Sequence, residues 1–324
     1  MAQCNGCLKD NTSGFCSSCE KILFNRSKVK PQLKFNWEDI SKRIDGLPMG
    51  FSISGVQRKG FVGKPRGIDL VPKMAIDEKS QYIIKPILSR FNIPDQALAN
   101  EHVTMQIAKQ VFGIKIAECA FVKFANGTPA YITKRFDYNK NGEKLNQEDF
   151  TSVLQVTDKY KSKTYQDVGE WLNPLNRIGL LRILIFNFIT GNGDVHLKNI
   201  SLLETSDGDM MLSPSYDLMN TKIHLTDNLM ALNLFKELEQ TNLPLGKTYN
   251  YTRNDFIEFG KRLKIKDSII TKIIDTFNKK ENEIIAMLNK SFLSDEAKTI
   301  YKTNVKANYK LFKQATPSTK PNLI

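Results

Sequence analysis

Three polar residues near the middle of the chain have the types and the spacing that phosphoryl transfer requires. Asp194 lies in a Gly-containing turn, Asn199 follows five residues later, and Asp217 comes after two short apolar segments. One carboxylate can orient a nucleophile and accept its proton, while an amide oxygen and a second carboxylate can hold Mg²⁺ against phosphates. We therefore predict a catalytic set in which Asp194 is the base and Asn199 and Asp217 bind Mg²⁺. Each residue alone could be a turn or cap residue, so the prediction depends on the whole set.

A strand and a helix upstream could supply the remaining charges of a nucleotide site. Residues 81–86 form a β-rich run that carries Lys85 near its end, where an ammonium can reach the α- and β-phosphates of ATP. Residues 95–112 have the apolar spacing of a helix, and Asp95 is its candidate cap. Glu101 on this helix is the candidate partner of Lys85, and a solvated surface carboxylate is the alternative.

A glycine-rich stretch precedes that strand. Four glycines occur within the thirteen residues from Gly55 to Gly67. Their backbone amides could approach phosphates closely. A plain hairpin is an equally good interpretation of this stretch on its own.

These motifs resemble the signature of a known family. The runs GNGDVHLKNISLL at 191–203 and LSPSYDL at 212–218 are similar to the HipA family, the serine/threonine kinase toxins of bacterial toxin–antitoxin systems. The segments SISGVQRK, YIIKP, NEHVTMQIAK, ITKRFDY and NQEDF match that family in the same order, and the resemblance covers residues 50 to 290. It is closest to the short HipT-like form, which lacks the usual N-terminal subdomain and carries a Ser-Ile-x-Ser loop. Ser52-Ile53-Ser54 matches that loop only loosely in its spacing.

The resemblance implies an α+β fold with two lobes, like that of protein kinases. A small β-rich N-lobe and a mostly helical C-lobe would enclose ATP and Mg²⁺, with Phe136 near the adenine and Asp137 at the ribose hydroxyls. His196 is a further cofactor-binding candidate through a ribose contact, although a hydrogen bond that holds the loop is at least as good an interpretation. Lipid kinases and aminoglycoside phosphotransferases also carry the Asp-x-His-x-x-Asn pattern. Gly55 and Gln57 complete the expected cofactor-binding set.

The resemblance also implies a substrate, partners and a form of control. HipA-like kinases phosphorylate a protein Ser or Thr, and similar proteins halt growth by modifying aminoacyl-tRNA synthetases, with or without bound tRNA. They are neutralised by a DNA-binding antitoxin partner. Autophosphorylation at Ser52, at Ser54 or at both would add about −2 charge beside the triphosphate and silence the kinase.

Four cysteines near the N-terminus have the spacing of a metal site. Cys4-x-x-Cys7 and Cys16-x-x-Cys19 can each present two thiolates from a tight turn, and together they can form a tetrahedral Zn²⁺ site. Disulfides and thioredoxin-like redox chemistry are the alternatives, but a reducing cytosol disfavours the first and the second needs a βαβ context. We predict a structural zinc-knuckle-like segment.

Composition favours a two-lobed enzyme with an anionic partner. The chain has 324 residues, of which 41% are hydrophobic, enough for a sizeable core. Its net charge of +13 would suit a nucleotide, tRNA, an acidic protein or an anionic membrane surface, and direct nucleic-acid binding stays open. Apolar runs are too short to cross a bilayer, and the N-terminus is not a basic-then-apolar leader. We therefore expect a cytoplasmic protein without membrane association.

The chain is predicted to have four parts. These are a zinc-knuckle-like segment at 1–35, an N-lobe at 36–138, a helical C-lobe at 139–315 and a tail at 316–324. Polar, basic residues at 25–48 are typical of a linker or of a lightly structured strand that leads into the next domain. Further predicted elements are strands at 117–124, 130–136, 200–203 and 210–212, a helix start at 146–150, an apolar helix at 180–189 that Pro174 begins or breaks, and helices at 253–263, 266–287 and 294–311.

Two other functions stay open. A lipid or small-molecule kinase would use the same chemistry, and assays with lipid and aminoglycoside substrates would distinguish it. A zinc-knuckle nucleic-acid-binding protein with an inactive kinase-like domain would bind RNA tightly and in a salt-sensitive way, without turning over ATP.

Overall fold

The N-terminal segment folds into a small module around the four cysteines. Strands β1 (Ala2–Gln3) and β2 (Asp10–Asn11) pair antiparallel, and helix α1 (Ser17–Phe24) follows them. The computed structural model describes residues 2–11, 14–44, 59–73, 80–87, 92–139, 141–225, 229–239, 249–314 and 322–323. Ser52, Ser54, Gly55 and Gln57 lie outside the described residues, so the predictions that concern them stay predictions.

Helix α2 (Trp37–Ile44) lies where the sequence predicted a linker or a lightly structured strand, and both alternatives are wrong for this part of residues 25–48. Ile40 is fully buried, and the Trp37 ring packs at 6.4 Å from the ring of Phe124. A Cβ atom at Gly60 would lie 2.6 Å from Ile40 Cγ2, so the helix packs directly onto a glycine. Long-range packing therefore stabilises a helix that the local composition did not indicate.

A five-stranded antiparallel sheet forms the N-lobe. Its strands are β3 (Gly60–Arg66), β4 (Asp69–Lys73), β5 (Tyr82–Pro86), β6 (Cys119–Lys123) and β7 (Pro129–Lys134), in the order β4-β3-β5-β7-β6. The strands predicted at 117–124 and 130–136 are confirmed as β6 and β7. The described part of the glycine-rich stretch forms the β3–β4 hairpin, which was one of its two interpretations. Lys85 pairs with Tyr131 of β7, so the sheet fixes its place.

Helix α3 (Ala97–Gln110) packs against this sheet, and every residue from Ala97 to Ala108 is buried. One 3₁₀ turn, Pro94–Gln96, leads into it, and the helix predicted at 95–112 is confirmed. The expected Asp95 cap is wrong, because the N-cap is Gln96 and its side chain makes no capping bond. A helix that is buried on all sides connects the sheet to the C-terminal half of the protein.

The C-lobe is mostly helical. Strands β8, β9 and β10 of this lobe form a small antiparallel sheet. The elements are β8 (Gln147–Asp149), α4 (Phe150–Val153), α5 (Tyr165–Trp171), α6 (Pro174–Thr190), β9 (Ser201–Glu204), β10 (Met210–Leu212), α7 (Lys236–Glu239), β11 (Tyr249–Asn250), α8 (Arg253–Arg262), α9 (Asp267–Asn278), α10 (Glu281–Asn289), α11 (Asp295–Phe312) and β12 (Asn322–Leu323). The predictions at 180–189, 200–203, 210–212, 253–263 and 294–311 are confirmed within a few residues, apart from the longer start of α6.

The predicted helix start at 146–150 is wrong in its first residues. Residues 147–149 form β8 and pair with β9, so the backbone there is extended. The Asp149 carboxylate then caps α4, since it accepts from the amides of Thr151 and Ser152. The acidic residues therefore precede the helix, and only Phe150 opens it.

The single helix predicted at 266–287 is two helices, α9 and α10. They separate at Lys279 and Lys280. Neither Gly nor Pro occurs in this stretch, so the sequence carries no local signal of a break. The break is supported from a distance, because the Tyr309 hydroxyl donates to the Phe277 carbonyl at 2.9 Å.

Helix α6 is the buried spine of the C-lobe. Pro174 is its first residue, as predicted, and the Asn173 side chain caps it by accepting from the Asn176 amide at 2.9 Å. The helix ends at Gly191, whose φ is +72°. This positive φ favours glycine, and a Cβ atom there would also lie close to Asn220 Oδ1, at 3.3 Å. The helix therefore leads directly into the turn that carries Asp194.

The α+β fold with two lobes is confirmed. One apolar core joins the cysteine module to one face of the large sheet, and a second core joins the other face, α3 and the C-lobe. The division at residues 35, 138 and 315 stays a prediction. Within the described residues, no helix has both the length and the apolar character needed to cross a bilayer.

Truncating the centre of α6 should destabilise the protein strongly. Leu184 is fully buried, so Leu184→Ala is expected to lower the free energy of unfolding by about 2–5 kcal/mol through lost burial and a cavity. Leu175→Ala on the same helix is the control, because that side chain is 64% exposed and its loss should cost less than about 0.5 kcal/mol. Urea unfolding measures both values, and equal losses would contradict the buried position of Leu184.

Candidate active site

The turn after α6 presents Asp194 and Asn199 on one short loop. Asn192 orients its start, since its Oδ1 accepts from the Asp194 amide at 3.2 Å. Asn199 closes the loop, because its Nδ2 donates to the Asp194 carbonyl at 2.8 Å. The remaining polar atom of the Asn199 side chain, Oδ1, is the one that can bind a cation.

Two tyrosine hydroxyls hold this loop from the C-lobe side. Tyr165 donates to the Val195 carbonyl at 2.8 Å, and Tyr216 donates to the Lys198 carbonyl at 2.9 Å. Burial raises the pKa of both phenols, so each stays protonated and able to donate. The loop backbone is thereby fixed by rigid groups of the scaffold, as a catalytic geometry requires.

Lys85 lies between two carboxylates. Its Nζ donates to Glu101 at 2.7 Å and also to Asp217, and its side chain is only 4% exposed. The structure thus brings the predicted partners Lys85 and Glu101 together, and the alternative of a surface carboxylate is wrong. Lys59 approaches Asp217 as well, with Nζ at 3.8 Å from Oδ2.

The charges of this cluster fix one another. Burial opposes ionisation of the Asp217 carboxyl, but Lys85 and Lys59 outweigh it and hold the pKa of Asp217 well below its usual range. Burial also works to lower the pKa of Lys85, yet Asp217 and Glu101 raise it above its ordinary value. For Glu101 burial dominates and raises the pKa to about 7, against the effect of Lys85. Asp217 is therefore the ionised acid of the cluster, which is the form that binds a cation.

The backbone of Asp217 is left-handed, with a φ of +55°. Such a conformation is uncommon outside glycine, although Asp and Asn tolerate it best, and it occurs preferentially at functional sites. Helix α3 supports this backbone conformation at Asn220, three residues after Asp217. Asn100 accepts from the Asn220 amide at 3.0 Å and donates to the Asn220 carbonyl at 2.8 Å.

Asp194 is not among the residues that line the cleft described below, and 48% of its side chain is exposed. The Tyr160 hydroxyl donates a hydrogen bond to Asp194 Oδ1. His196 is buried, and its Nε2 lies 2.7 Å from Lys159 Nζ. A lysine ammonium can only donate, so Nε2 accepts and the imidazole is neutral. Burial lowers the pKa of His196, and the Lys159 charge adds to this against the opposing effect of Asp194.

The position of His196 favours the simpler of its two interpretations. Its ring packs edge-on against Tyr160, with the centroids 4.9 Å apart. It lies beside the nucleotide-sized cleft described next and is not part of its wall. We infer that it holds the loop, and a ribose contact stays a prediction.

A cleft of about 660 Å³ lies between the lobes, within the range of small-molecule sites. Phe136 lines it and stacks on Tyr216, with ring centroids 5.8 Å apart. Asp137 lines it too, and its two oxygens accept from Arg135 at 3.0 and 2.6 Å. The predicted site residues on its wall are Lys85, Glu101, Phe136, Asp137, Asn199 and Asp217.

The four N-terminal cysteines converge on one point. Their Sγ atoms all lie within 4.8 Å of one another, and those of Cys7 and Cys16 are 3.7 Å apart. A disulfide needs about 2.05 Å, whereas four thiolates around Zn²⁺ at about 2.3 Å stand about 3.8 Å apart. Hydrogen bonds from the thiols of Cys19 and Cys7 also lower the pKa of Cys4. The donor set therefore fits tetrahedral zinc and does not fit a disulfide.

Several residues of the site were not found from the sequence. Lys59 and Arg135 are the clearest cases, since both line the cleft and pair with predicted acids. Lys59 lies within the glycine-rich stretch, directly before strand β3, and this position could have suggested a second cation at the site. Tyr160 and Lys159 lie in an irregular connection without periodicity, so their approach to Asp194 and His196 had no local signal.

Comparison with known proteins decides the family. The model of the HipA-like C-terminal domain matches residues 51–284, which is well over half of the chain. The chain belongs to the HipA-like family. This confirms the resemblance that the motifs suggested. A Haemophilus influenzae protein named as a proposed kinase is 26% identical over 316 residues, covering 88% of this chain and 89% of that protein.

Two further relatives and one solved structure agree with this assignment. Two Sinorhizobium fredii proteins, also named as proposed kinases, are 30% and 32% identical, and the matches cover 60% and 48% of their lengths. HipA of Shewanella oneidensis, solved in a complex with HipB and operator DNA, superposes with a TM-score of 0.56 at 22% identity. That match covers 86% of this chain and 71% of the HipA chain, and it supports the two-lobed fold.

Removing the central ammonium should make stability depend on pH. In Lys85→Met, Glu101 loses the charge that lowers its pKa, so its pKa rises further above 7 in the folded chain. A carboxyl whose pKa is raised by folding binds a proton on folding, so stability is lost as the pH rises. We expect the variant to lose about 3 kcal/mol at pH 8.5 and distinctly less at pH 6.5, measured by urea unfolding.

Lys280→Met is the matched control for this experiment. Lys280 pairs with Glu283 at 2.6 Å, a distance like that of Lys85 and Glu101, but the Glu283 side chain is 51% exposed. Its loss should cost less than about 1 kcal/mol at both pH values. The same loss for Lys85→Met at both pH values would show that Glu101 does not depend on Lys85 for its charge.

Proposed function

We propose that the chain is a serine/threonine protein kinase that transfers the γ-phosphoryl group of ATP. One observation carries the proposal. Lys85, Glu101 and Asp217, which come from a strand, a helix and a loop, meet beside Asn199 in one cleft of nucleotide size. Catalysis at such a site is mainly positioning and charge neutralisation.

The proposal assigns one role to each residue. Asp194 accepts the proton of the attacking hydroxyl as the new bond from oxygen to the γ-phosphorus forms. The bond between that phosphorus and the oxygen bridging to the β-phosphate breaks, and ADP leaves. Lys85, oriented by Glu101, binds the α- and β-phosphates, and Lys59 adds a second positive charge close to Asp217.

Asn199 and Asp217 would hold Mg²⁺. An amide oxygen and an ionised carboxylate are suitable hard ligands, and both residues line the same cleft. The bound ion supplies charge neutralisation for the phosphates. Phe136 and Asp137 would contact the adenine and the ribose, and Arg135 would orient the Asp137 carboxylate for that contact.

The acceptor is proposed to be a protein. Asp194 is half exposed and shares a loop with Asn199, which lines the cleft, so an acceptor hydroxyl can reach it from outside the cleft. The net charge of +13 suits an aminoacyl-tRNA synthetase, with or without its tRNA, as the growth-limiting target. The Shewanella HipA was solved with HipB and operator DNA, and we propose a comparable antitoxin partner for this chain.

Loss of the catalytic acids should abolish phosphorylation without unfolding the protein. Asp194→Asn is expected to lower turnover about 100- to 10,000-fold, since it removes the base. Asp217→Asn keeps a residue type that tolerates the left-handed backbone and should be at least as inactive. The measurement uses radiolabelled ATP and cell lysate, followed by identification of the labelled protein.

Asp207→Asn is the control, because Asp207 lies exposed in the turn between β9 and β10 and should leave the activity unchanged. Label in lipids or small molecules with no labelled protein would reassign the substrate class. Near-normal labelling by Asp194→Asn would refute the mechanism. Salt-sensitive RNA binding without any ATP turnover would instead favour an inactive binding protein.

Autophosphorylation at Ser52, at Ser54 or at both is a separate expectation. The family resemblance implies that this loop lies beside the triphosphate, so the charge of about −2 added by a phosphate there should weaken nucleotide binding. Mass spectrometry after incubation with ATP should find phosphate at these serines in the wild type and not in Asp217→Asn. Both serines unmodified in an active preparation would contradict this form of control.

A further inference from the structure

Helix α3 connects two parts of the nucleotide site through adjacent side chains. Asn100 fixes the segment after Asp217 through two hydrogen bonds to the backbone of Asn220. The Glu101 carboxylate accepts a hydrogen bond from the Lys85 ammonium at 2.7 Å. The sheet fixes the backbone of Lys85, and the position of α3 determines where the Lys85 ammonium is held and where the segment after Asp217 lies.

The next side chain of the helix points to the cysteine module. His102 Nε2 donates to the Gly6 carbonyl at 2.9 Å. At the C-terminal end of the helix, Gln110 Nε2 donates to the Cys7 carbonyl at 2.8 Å. Leu8 of the same turn is fully buried in the core that contains α3. The turn that carries two cysteine ligands is thus bound to the helix at two polar points and one apolar point.

His102 cannot exchange its partner for water. Its ring is fully buried between the rings of Phe121 and Phe292, at centroid distances of 6.3 and 5.8 Å. The other ring nitrogen, Nδ1, has no hydrogen-bond partner in the part of the chain that the structure describes. The Gly6 carbonyl is therefore the acceptor on which this buried donor depends, and a donor left unsatisfied destabilises the folded state.

The metal ligands determine where that carbonyl lies. A Cβ atom at Gly6 would stand 2.6 Å from Cys19 Sγ, so the backbone of the turn packs directly against the sulfur cluster. Cys4 and Cys7 flank Gly6 on the same turn, and the Cys16 amide donates to Cys4 Sγ at 3.2 Å. Four mutually close sulfurs repel one another as thiolates unless a cation binds them. Without a bound cation the turn, and the carbonyl within it, would shift.

We propose that Zn²⁺ bound by Cys4, Cys7, Cys16 and Cys19 holds helix α3 in place, so that metal occupancy controls nucleotide binding at Lys85. His102 acts as the positioning residue between the metal module and the cleft. The inference about the helix stands on the contacts of α3 alone, and the consequence for ATP rests on the proposed function.

Hydrogen exchange of the full-length protein tests the proposal. Zinc content is measured first, and one equivalent per chain is expected. Removal of the metal by a chelator, or by Cys16→Ser, should speed amide exchange in α3 about tenfold or more while α8 stays unchanged. Affinity for a non-hydrolysable ATP analogue with Mg²⁺ should fall about tenfold in parallel, and added Zn²⁺ should restore both values in the chelated wild type. Lys9→Ala, an exposed change within the same module, is the control and should alter neither.

His102→Phe separates coupling from simple folding of the module. It keeps an aromatic ring between Phe121 and Phe292 but removes the donor to Gly6, so zinc should remain bound while α3 exchanges faster. If metal removal unfolds the whole chain, α8 exchanges faster as well, and His102→Phe then decides. Unchanged exchange of α3 in this variant, or a zinc-free wild type with a protected α3, would overturn the proposal. A protected, zinc-dependent α3 in a chain that turns over no ATP would refute the kinase assignment and leave the metal linkage standing.

Discussion

One buried ammonium joins the two halves of this protein. Lys85 is carried by the central strand of the large sheet, Glu101 by the helix behind it, and Asp217 by a loop of the C-lobe. A charge in such a place is tolerated only while its partners surround it, because desolvation of an unpaired ion costs several kcal/mol. The sheet, the helix and the loop must therefore reach their final positions together, and the cleft between them is a consequence of this pairing.

Helix α3 differs from an ordinary amphipathic helix because its polar side chains are buried too. Thr104 pairs with the Tyr301 hydroxyl at 2.8 Å, and Gln106 donates to Cys119 Sγ at 3.5 Å. Apolar packing would permit small shifts of such a helix, whereas satisfied polar contacts on several sides permit one position. The protein thus uses hydrogen bonds inside its core for precision, and apolar residues for most of its stability.

The sequence predicted site residues well where their spacing along the chain was informative. It predicted them less well where they meet only through contacts between distant segments. Asp194 and Asn199 share a loop, so their separation along the chain was informative, and the apolar run before them indicated α6. Lys59 and Tyr160 were missed because their partners lie far away in sequence, and no local pattern records such an approach. The break between α9 and α10 escaped for the same reason, since the support for it comes from Tyr309 on another helix. The pair Lys85–Glu101 was predicted although its residues meet only in the fold, whereas the tertiary contacts of Lys59, Tyr160 and Tyr309 were not.

The hydrogen bond from the Tyr160 hydroxyl to the Asp194 carboxylate has a consequence for how an acceptor would bind in the proposed kinase. The Tyr160 hydroxyl takes one of the acceptor positions of the Asp194 carboxylate, and the others stay open to solvent because 48% of the side chain is exposed. An acceptor alcohol would replace the Tyr160 hydroxyl as the hydrogen-bond donor to Asp194, so the carboxylate would keep the same number of hydrogen bonds. In the proposed kinase, an acceptor hydroxyl that displaces the tyrosine would therefore reach the base at little net cost in hydrogen bonds.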